Sequence, residues 1–200
     1  GRIVWREEEA WPLPGRQMTA YYLHSGGRAN GAAGDGCLTT ATPGDEPADQ
    51  YLYDPHDPTP VAPDMDAYFA SEAFKGAWRP LDHTPVEMRE DMLVYTSEPL
   101  TQELEVTGNP RVHLYAASDC LDTDFIAVLT DVHPDGRSVR ICEGVLRASY
   151  RDSLEKPSPL VPGQVYEFKI ELTATSMAFL PEHRLRLCIV SCRWPHWDRN

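Results

Sequence analysis

Two hundred residues, 42% of them hydrophobic and 24% charged, are enough to bury one substantial globular core. The formal net charge of -13, with the 18 Lys and Arg scattered singly, argues against nucleic acid and anionic membrane surfaces as partners, because both need a clustered basic patch. No apolar run approaches the roughly 18 residues of a membrane span, and Gly1-Arg2-Ile3-Val4-Trp5-Arg6 leads straight into Glu7-Glu8-Glu9 with no signal-peptide pattern. That opening reads as a start in mid-protein, and the expected location is cytoplasmic.

Residues 1–90 form a loop-rich entry segment, punctuated by Gly26-Gly27, Asn30-Gly31, Gly34-Asp35-Gly36 and Asp54-Pro55-His56-Asp57-Pro58-Thr59-Pro60. Thr19-Ala20-Tyr21-Tyr22-Leu23 is a candidate strand. Residues 63–78 carry the one helix-like spacing, with Met65, Tyr68, Phe69 and Phe74 roughly on one side, and predict one or two turns.

From residue 91 to 200 the texture is that of regular strand in the same domain. Val112, Leu114 and Ala116 alternate, and residues 125–132 are apolar on both faces, as a central strand requires. Tyr166, Phe168, Ile170 and Leu172 oppose Glu167, Lys169 and Glu171, and Leu185, Leu187 and Ile189 oppose Arg184 and Arg186. The turns Gly108-Asn109-Pro110, Pro134-Asp135-Gly136 and Pro162-Gly163 separate these runs. About six or seven strands without intervening helices predict an all-β antiparallel sandwich or jelly roll.

The chemistry-bearing residues do not assemble a catalytic set. A nucleophile elbow needs G-x-S-x-G on a strand-to-helix turn, and none occurs; His24-Ser25-Gly26-Gly27 is the nearest stretch and has no helical pattern after it. The expectation is no catalytic residue and no cofactor. The seven histidines include no H-x-x-x-H or H-x-H pair, so no metal centre is expected. Cys188 and Cys192 on one strand would lie about 13 Å apart at about 3.3 Å per residue, beyond the about 7 Å a disulfide spans. Buried reduced thiols are expected, in keeping with a reducing compartment.

Asp122, Asp124, Asp131 and Asp135 could in principle ligate calcium, but capping of a strand entry by Asp122 and a tight turn at Asp135-Gly136 is the preferred account. Arg147 and Arg151, four apart on one strand, would share a face and pair with Asp122, Asp124 or Asp131. Trp5, Trp11, Trp78, Trp194 and Trp197 lie in irregular segments, to be covered by the chain's own loops, by another domain, or by a sugar.

Several stretches, in order along the chain, carry a family resemblance. Asp122-Thr123-Asp124-Phe125, then Leu129-Thr130-Asp131-Val132-His133-Pro134-Asp135-Gly136, then Gly144-Val145-Leu146-Arg147-Ala148-Ser149-Tyr150-Arg151 form its centre. Trp5 with Trp11-Pro12, Tyr53-Asp54-Pro55 with Pro60-Val61, Tyr95-Thr96-Ser97-Glu98-Pro99-Leu100 and His183-Arg184-Leu185-Arg186-Leu187 flank it. Together they resemble the C-terminal domain of the CocE/NonD hydrolases, the cocaine-esterase-like and X-prolyl dipeptidyl-peptidase-like serine hydrolases.

The resemblance implies a galactose-binding-like jelly roll packed against an upstream α/β-hydrolase domain of the same protein. That partner would hold the Ser-Asp-His triad and cleave an ester, an amide or an X-Pro peptide, while this chain stabilises the assembly and helps close the cleft. Two departures stand out: Ala62-Pro63-Asp64-Met65 leads into a longer insertion than the family's paired glycines, and the chain stops at Asn200, where relatives continue toward another strand. Residues 53–78, long and aromatic, are the segment expected to face the active site, with Tyr68, Phe69 and Phe74 contacting an apolar acyl group. The competing readings are an independent carbohydrate-binding module and an interface that drives self-association.

Overall fold

The computed structural model describes residues 4–62, 64–70 and 82–199. Ten strands occur among them. In chain order they are β1 (Tyr22–His24), β2 (Cys37–Thr39), β3 (Met92–Thr96), β4 (Leu104–Gly108), β5 (Arg111–Ala116), β6 (Asp124–Val132), β7 (Ser138–Arg147), β8 (Tyr166–Glu171), β9 (Thr175–Phe179) and β10 (Arg184–Val190). Two short helices, α1 (Met65–Ala70) and α2 (Thr84–Glu87), lie between β2 and β3. The excess over the six or seven strands expected comes from pieces of three to five residues, too short to display a period of two.

A six-stranded sheet runs β1-β2-β3-β10-β6-β7, faced by the pairs β4-β9 and β5-β8. All pairings are antiparallel except β2 with β3, which meet in parallel at Cys37 and Thr96. The all-β sandwich expected from the alternation is the fold observed. β5 and β8 put their apolar sets directly opposite one another, Val112 with Ile170 and Leu114 with Phe168.

β6 and β10 are the centre of the sheet and are covered on both faces. One face carries Phe125, Ala127, Leu129, Leu185, Leu187 and Ile189 into the main core, where Phe168, Ile170, Leu172 and Phe179 arrive from the opposing pairs. The Phe125 and Phe168 rings sit 4.6 Å apart. The other face carries Ile126, Val128, Cys188 and Val190 against Met92, Val94 and Val86. Gly144 of β7 is where the two layers come closest: a Cβ there would lie 2.2 Å from the Glu171 carbonyl oxygen.

The face of β10 that Arg186 shares with Arg184 is not left open at Arg186, which is 9% exposed. Its side of β10 is covered by α2, and Glu87 of that helix, 2% exposed, meets the guanidinium at 2.5 Å. Ser138 and Thr130 complete the site: the Ser138 hydroxyl lies 2.7 Å from Glu87 Oε1 and 2.8 Å from Thr130 Oγ1. The alternation along β10 was legible, but the helix covering its polar face was not, since Thr84-Pro85-Val86-Glu87 is a single turn.

The helix predicted over 63–78 is present as α1. Asp64 caps it, its Oδ1 accepting from the Ala67 amide at 2.9 Å. Phe74 and Trp78 lie outside the described residues. The strand expected at 19–23 begins later, at Tyr22.

Removing one partner of a buried ion pair leaves an uncompensated charge. Glu87→Ala is therefore expected to lower stability by about 3–5 kcal/mol, and adding Arg186→Met should restore much of that loss. Denaturant unfolding of the two variants beside the parent checks both.

Candidate functional site

Residues 57–61, in the segment expected to face a substrate, are tied to the sandwich. Arg89 reaches Asp57 Oδ2 at 2.9 Å and Asp91 Oδ2 at 2.8 Å, and Thr59 Oγ1 donates to Asp91 at 2.8 Å. Pro60 bridges in parallel to Trp194: the Val61 amide donates to the Trp194 carbonyl at 2.9 Å, and the Trp194 amide to the Thr59 carbonyl at 2.8 Å. These contacts fix the chain leading into α1.

On α1 the two described aromatic candidates point differently. Tyr68 is 4% exposed, packs with Val61, Ala62 and Met65, and its hydroxyl hydrogen-bonds His196 Nε2. Phe69 is 42% exposed, with its ring 6.1 Å from that of Tyr68. Tyr68 thus anchors the helix and Phe69 forms its outer surface.

Beneath α1 lies a charged layer built from β7 and the segment after β10. Arg193 is fully buried, with Nε 3.0 Å from Glu143 Oε2, though out of line for a hydrogen bond. Arg140 meets Glu143 Oε1 at 3.2 Å and His196 lies 3.5 Å from it. Burial works against the charged form of Glu143, but the His196 hydrogen bond and the Arg193 and Arg140 charges outweigh it and bring its pKa to about 2. His83, buried beside Arg193 and Arg140, is held well below the usual imidazole range, first by burial and then by those cations.

The Asp and Arg residues of the central motif serve the sandwich. Asp124 of β6 and Arg147 of β7 are register partners and form a bidentate pair, Nε to Oδ1 and Nη2 to Oδ2, both 2.9 Å. Asp122 accepts from the Ser149 amide at 2.8 Å and its hydroxyl at 2.7 Å, capping the 3-10 turn Ala148–Tyr150. Asp135 accepts from the Arg137 amide in the β6–β7 turn at 3.1 Å.

Arg151 corrects the expectation of a shared strand face with Arg147. β7 ends at Arg147, so Arg151 leaves the strand, donates to the Ser158 carbonyl at 2.6 Å and stacks 4.2 Å over the Tyr166 ring. Asp122, Asp124, Asp131 and Asp135 thus face different partners and do not converge as calcium ligands. Trp197 packs on the second core and Arg199 lies over Trp194, whereas Trp5 and Trp11 are 94% and 54% exposed.

Ser25 is not a nucleophile with a base beside it. Its hydroxyl donates to Asp49 Oδ2 at 2.6 Å, while His24 turns to Glu46 at 2.7 Å and the Ala41 carbonyl at 2.9 Å. The histidines missed by linear spacing are His133 and His183. The β6–β10 register pairs Val132 with Arg184, so the next step outward sets His133 across from His183, beside Asp131. Knowledge of which strands pair would have found them.

Residues 1–200 match the family described as the X-Pro dipeptidyl-peptidase C-terminal non-catalytic domain. The chain belongs to this family. It is 42% identical over 196 residues to the cocaine esterase of Rhodococcus sp. strain MB1 Bresler, covering 98% of this chain and 33% of that protein. An aminopeptidase from a marine sediment Thaumarchaeota archaeon superposes with a TM-score of 0.82 at 30% identity, over 98% of this chain and 32% of that one. An α-amino acid ester hydrolase superposes at 0.79 with 30% identity, over 91% and 30%. The chain therefore spans about a third of the length of these relatives, and it is a non-catalytic C-terminal domain of the CocE/NonD hydrolase type.

The Glu143 site carries a pH signature. Its pKa falls from 4.5 to about 2 on folding, so its contribution to stability is complete above pH 4.5 and is lost as pH falls through about 2. The contribution is about 3 kcal/mol at one pKa unit per 1.36 kcal/mol. Unfolding measured from pH 6 down to about pH 2 should show a shallower loss of stability in Glu143→Gln than in the parent.

Proposed function

We propose that this chain is the accessory domain of a serine acyl hydrolase, packed against an α/β-hydrolase catalytic domain of the same protein. Residues 1–90 and 91–200 act as one domain in this reading, supported by β1 and β2 joining the main sheet. The domain stabilises the enzyme and presents α1 at the rim of the substrate cleft, for an ester, amide or X-Pro peptide substrate.

The observation that carries this reading is the combination of an exposed Phe69 with a helix fixed from below by Tyr68, His196 and the Arg89 clamp. A rigid apolar edge suits a cleft wall, because a wall must hold its shape while the acyl group is positioned. A cytoplasmic location for the parent is supported by the buried thiols of Cys142, Cys188 and Cys192. No helix among the described residues is long and apolar enough to cross a membrane.

In the full-length enzyme, Phe69→Ala and Phe74→Ala should each lower kcat/KM for apolar acyl substrates by about tenfold, chiefly through KM, the scale of a lost hydrophobic contact. Tyr68→Ala should act on the same parameter by loosening α1. Steady-state kinetics on a series of acyl esters read this out, and unchanged constants in all three variants would remove this segment from the cleft. The carbohydrate-binding reading retains the exposed Trp5 and Trp11 as sugar platforms. Calorimetric titration with a glycan panel separates the two, since the accessory reading expects no heat of binding.

A further inference from the structure

The geometry points to a divalent transition-metal site at the edge of the β6–β10 pair, formed by Asp131, His133 and His183. One ligand atom from each residue falls within 4.8 Å of the others. Asp131 lies near the end of β6 and His133 is the residue just past that strand, while His183 immediately precedes β10, the strand alongside. Strand pairing supplies the convergence that no linear motif records.

The distances suit a small ion. His183 Nδ1 lies 2.8 and 3.0 Å from the two Asp131 oxygens, and His133 Nε2 lies 3.6 Å from Asp131 Oδ2. Ligand atoms around tetrahedral zinc stand about 3.4 Å apart when each bond is near 2.1 Å. The carboxylate–imidazole separations bracket that value, and the whole set of ligand atoms lies within 4.8 Å. The two rings are tilted against one another at 43°, with centroids 4.5 Å apart.

The surroundings also fit. Asp131 is 1% exposed and His183 is buried, so the ion would be held against a rigid wall. His133 is partly open, which leaves a path for entry and a fourth position for water. Its backbone is pinned by the β6–β7 turn: the His133 amide donates to the Arg137 carbonyl at 2.8 Å, and the Gly136 amide to the His133 carbonyl at 2.9 Å. Two imidazoles and one carboxylate are a donor set for zinc, cobalt or nickel rather than for calcium or magnesium, which take oxygen ligands. Ligation by His183 Nδ1 takes the ring as its Nε2–H tautomer, the metal replacing the hydrogen that now bridges to Asp131.

The test uses Zn²⁺ alone. The chelator-treated protein carrying this chain is dialysed against zinc, and bound metal is counted by mass spectrometry beside His133→Phe and His133→Asn. Both substitutions leave the Asp131–His183 hydrogen bond in place, and circular dichroism without zinc verifies that each is folded. The expected result is one zinc per chain in the parent that either variant lacks, with affinity at least about 100-fold weaker, and a zinc-dependent rise in the parent's melting temperature that the variants do not share. Cobalt should give the visible absorption of a tetrahedral site in the parent only. No zinc retained by the parent, or equal zinc in parent and variants, would overturn the assignment and leave the three residues as a structural clamp.

Discussion

β6 and β10 are packed on both faces, and that double burial governs what the rest of the chain can do. A strand with one face in water can discharge polar side chains there; these two cannot. Each ionisable group on their inner reaches is therefore matched: Arg186 by Glu87, and Asp131 by His183. The matched groups sit at different depths. Glu87 of α2 covers Arg186, where pairing offsets the desolvation penalty, while Asp131 lies near the end of the strand, where part-exposed His133 brings the surface within reach.

The two faces of the sheet have separate work. The face toward β5 and β8 is almost wholly apolar and holds the layers together. The opposite face mixes Val86, Val128 and Val190 with Arg140, Glu143 and Arg193, and it supports α1 through Tyr68 and His196. A charged layer beneath a helix fixes orientation more tightly than aliphatic packing does, because hydrogen bonds and ion pairs have directional optima. Tyr68 and His196 tie α1 to that layer.

Much of this was legible from residue order. The alternation at 166–172 and the two-faced run at 125–132 correspond to β8 and β6, and Asp135 accepts from the Arg137 amide in its own turn, whereas Asp122 reaches across to Ser149, 27 residues on. What escaped shares one cause, which is that it depends on partners remote in sequence. The partner of Arg186 escaped because its cover, α2, is a single turn almost 100 residues away. Arg151 looked like a strand neighbour of Arg147 because nothing in Ala148-Ser149-Tyr150 announces a 3-10 turn. His133 and His183 are unrelated along the chain and adjacent across it. The apolar spacing around Tyr68 and Phe69 indicated a helix but not which ring would turn inward, since that is set by His196 on the terminal segment.

The order of strands also constrains how the chain can come together during synthesis. β10 lies between β3 and β6, and it is the last of the ten to leave the ribosome. Until then β3 and β6 have no common neighbour, and each shows an unpaired edge and an apolar face to whatever is nearby. The β6–β7 hairpin can form early because its strands are adjacent in sequence, but the six-stranded sheet cannot close before residue 190 is available. The nascent domain thus passes through a stage in which its most apolar strand is made and its cover is not, the interval in which a chaperone has most to protect.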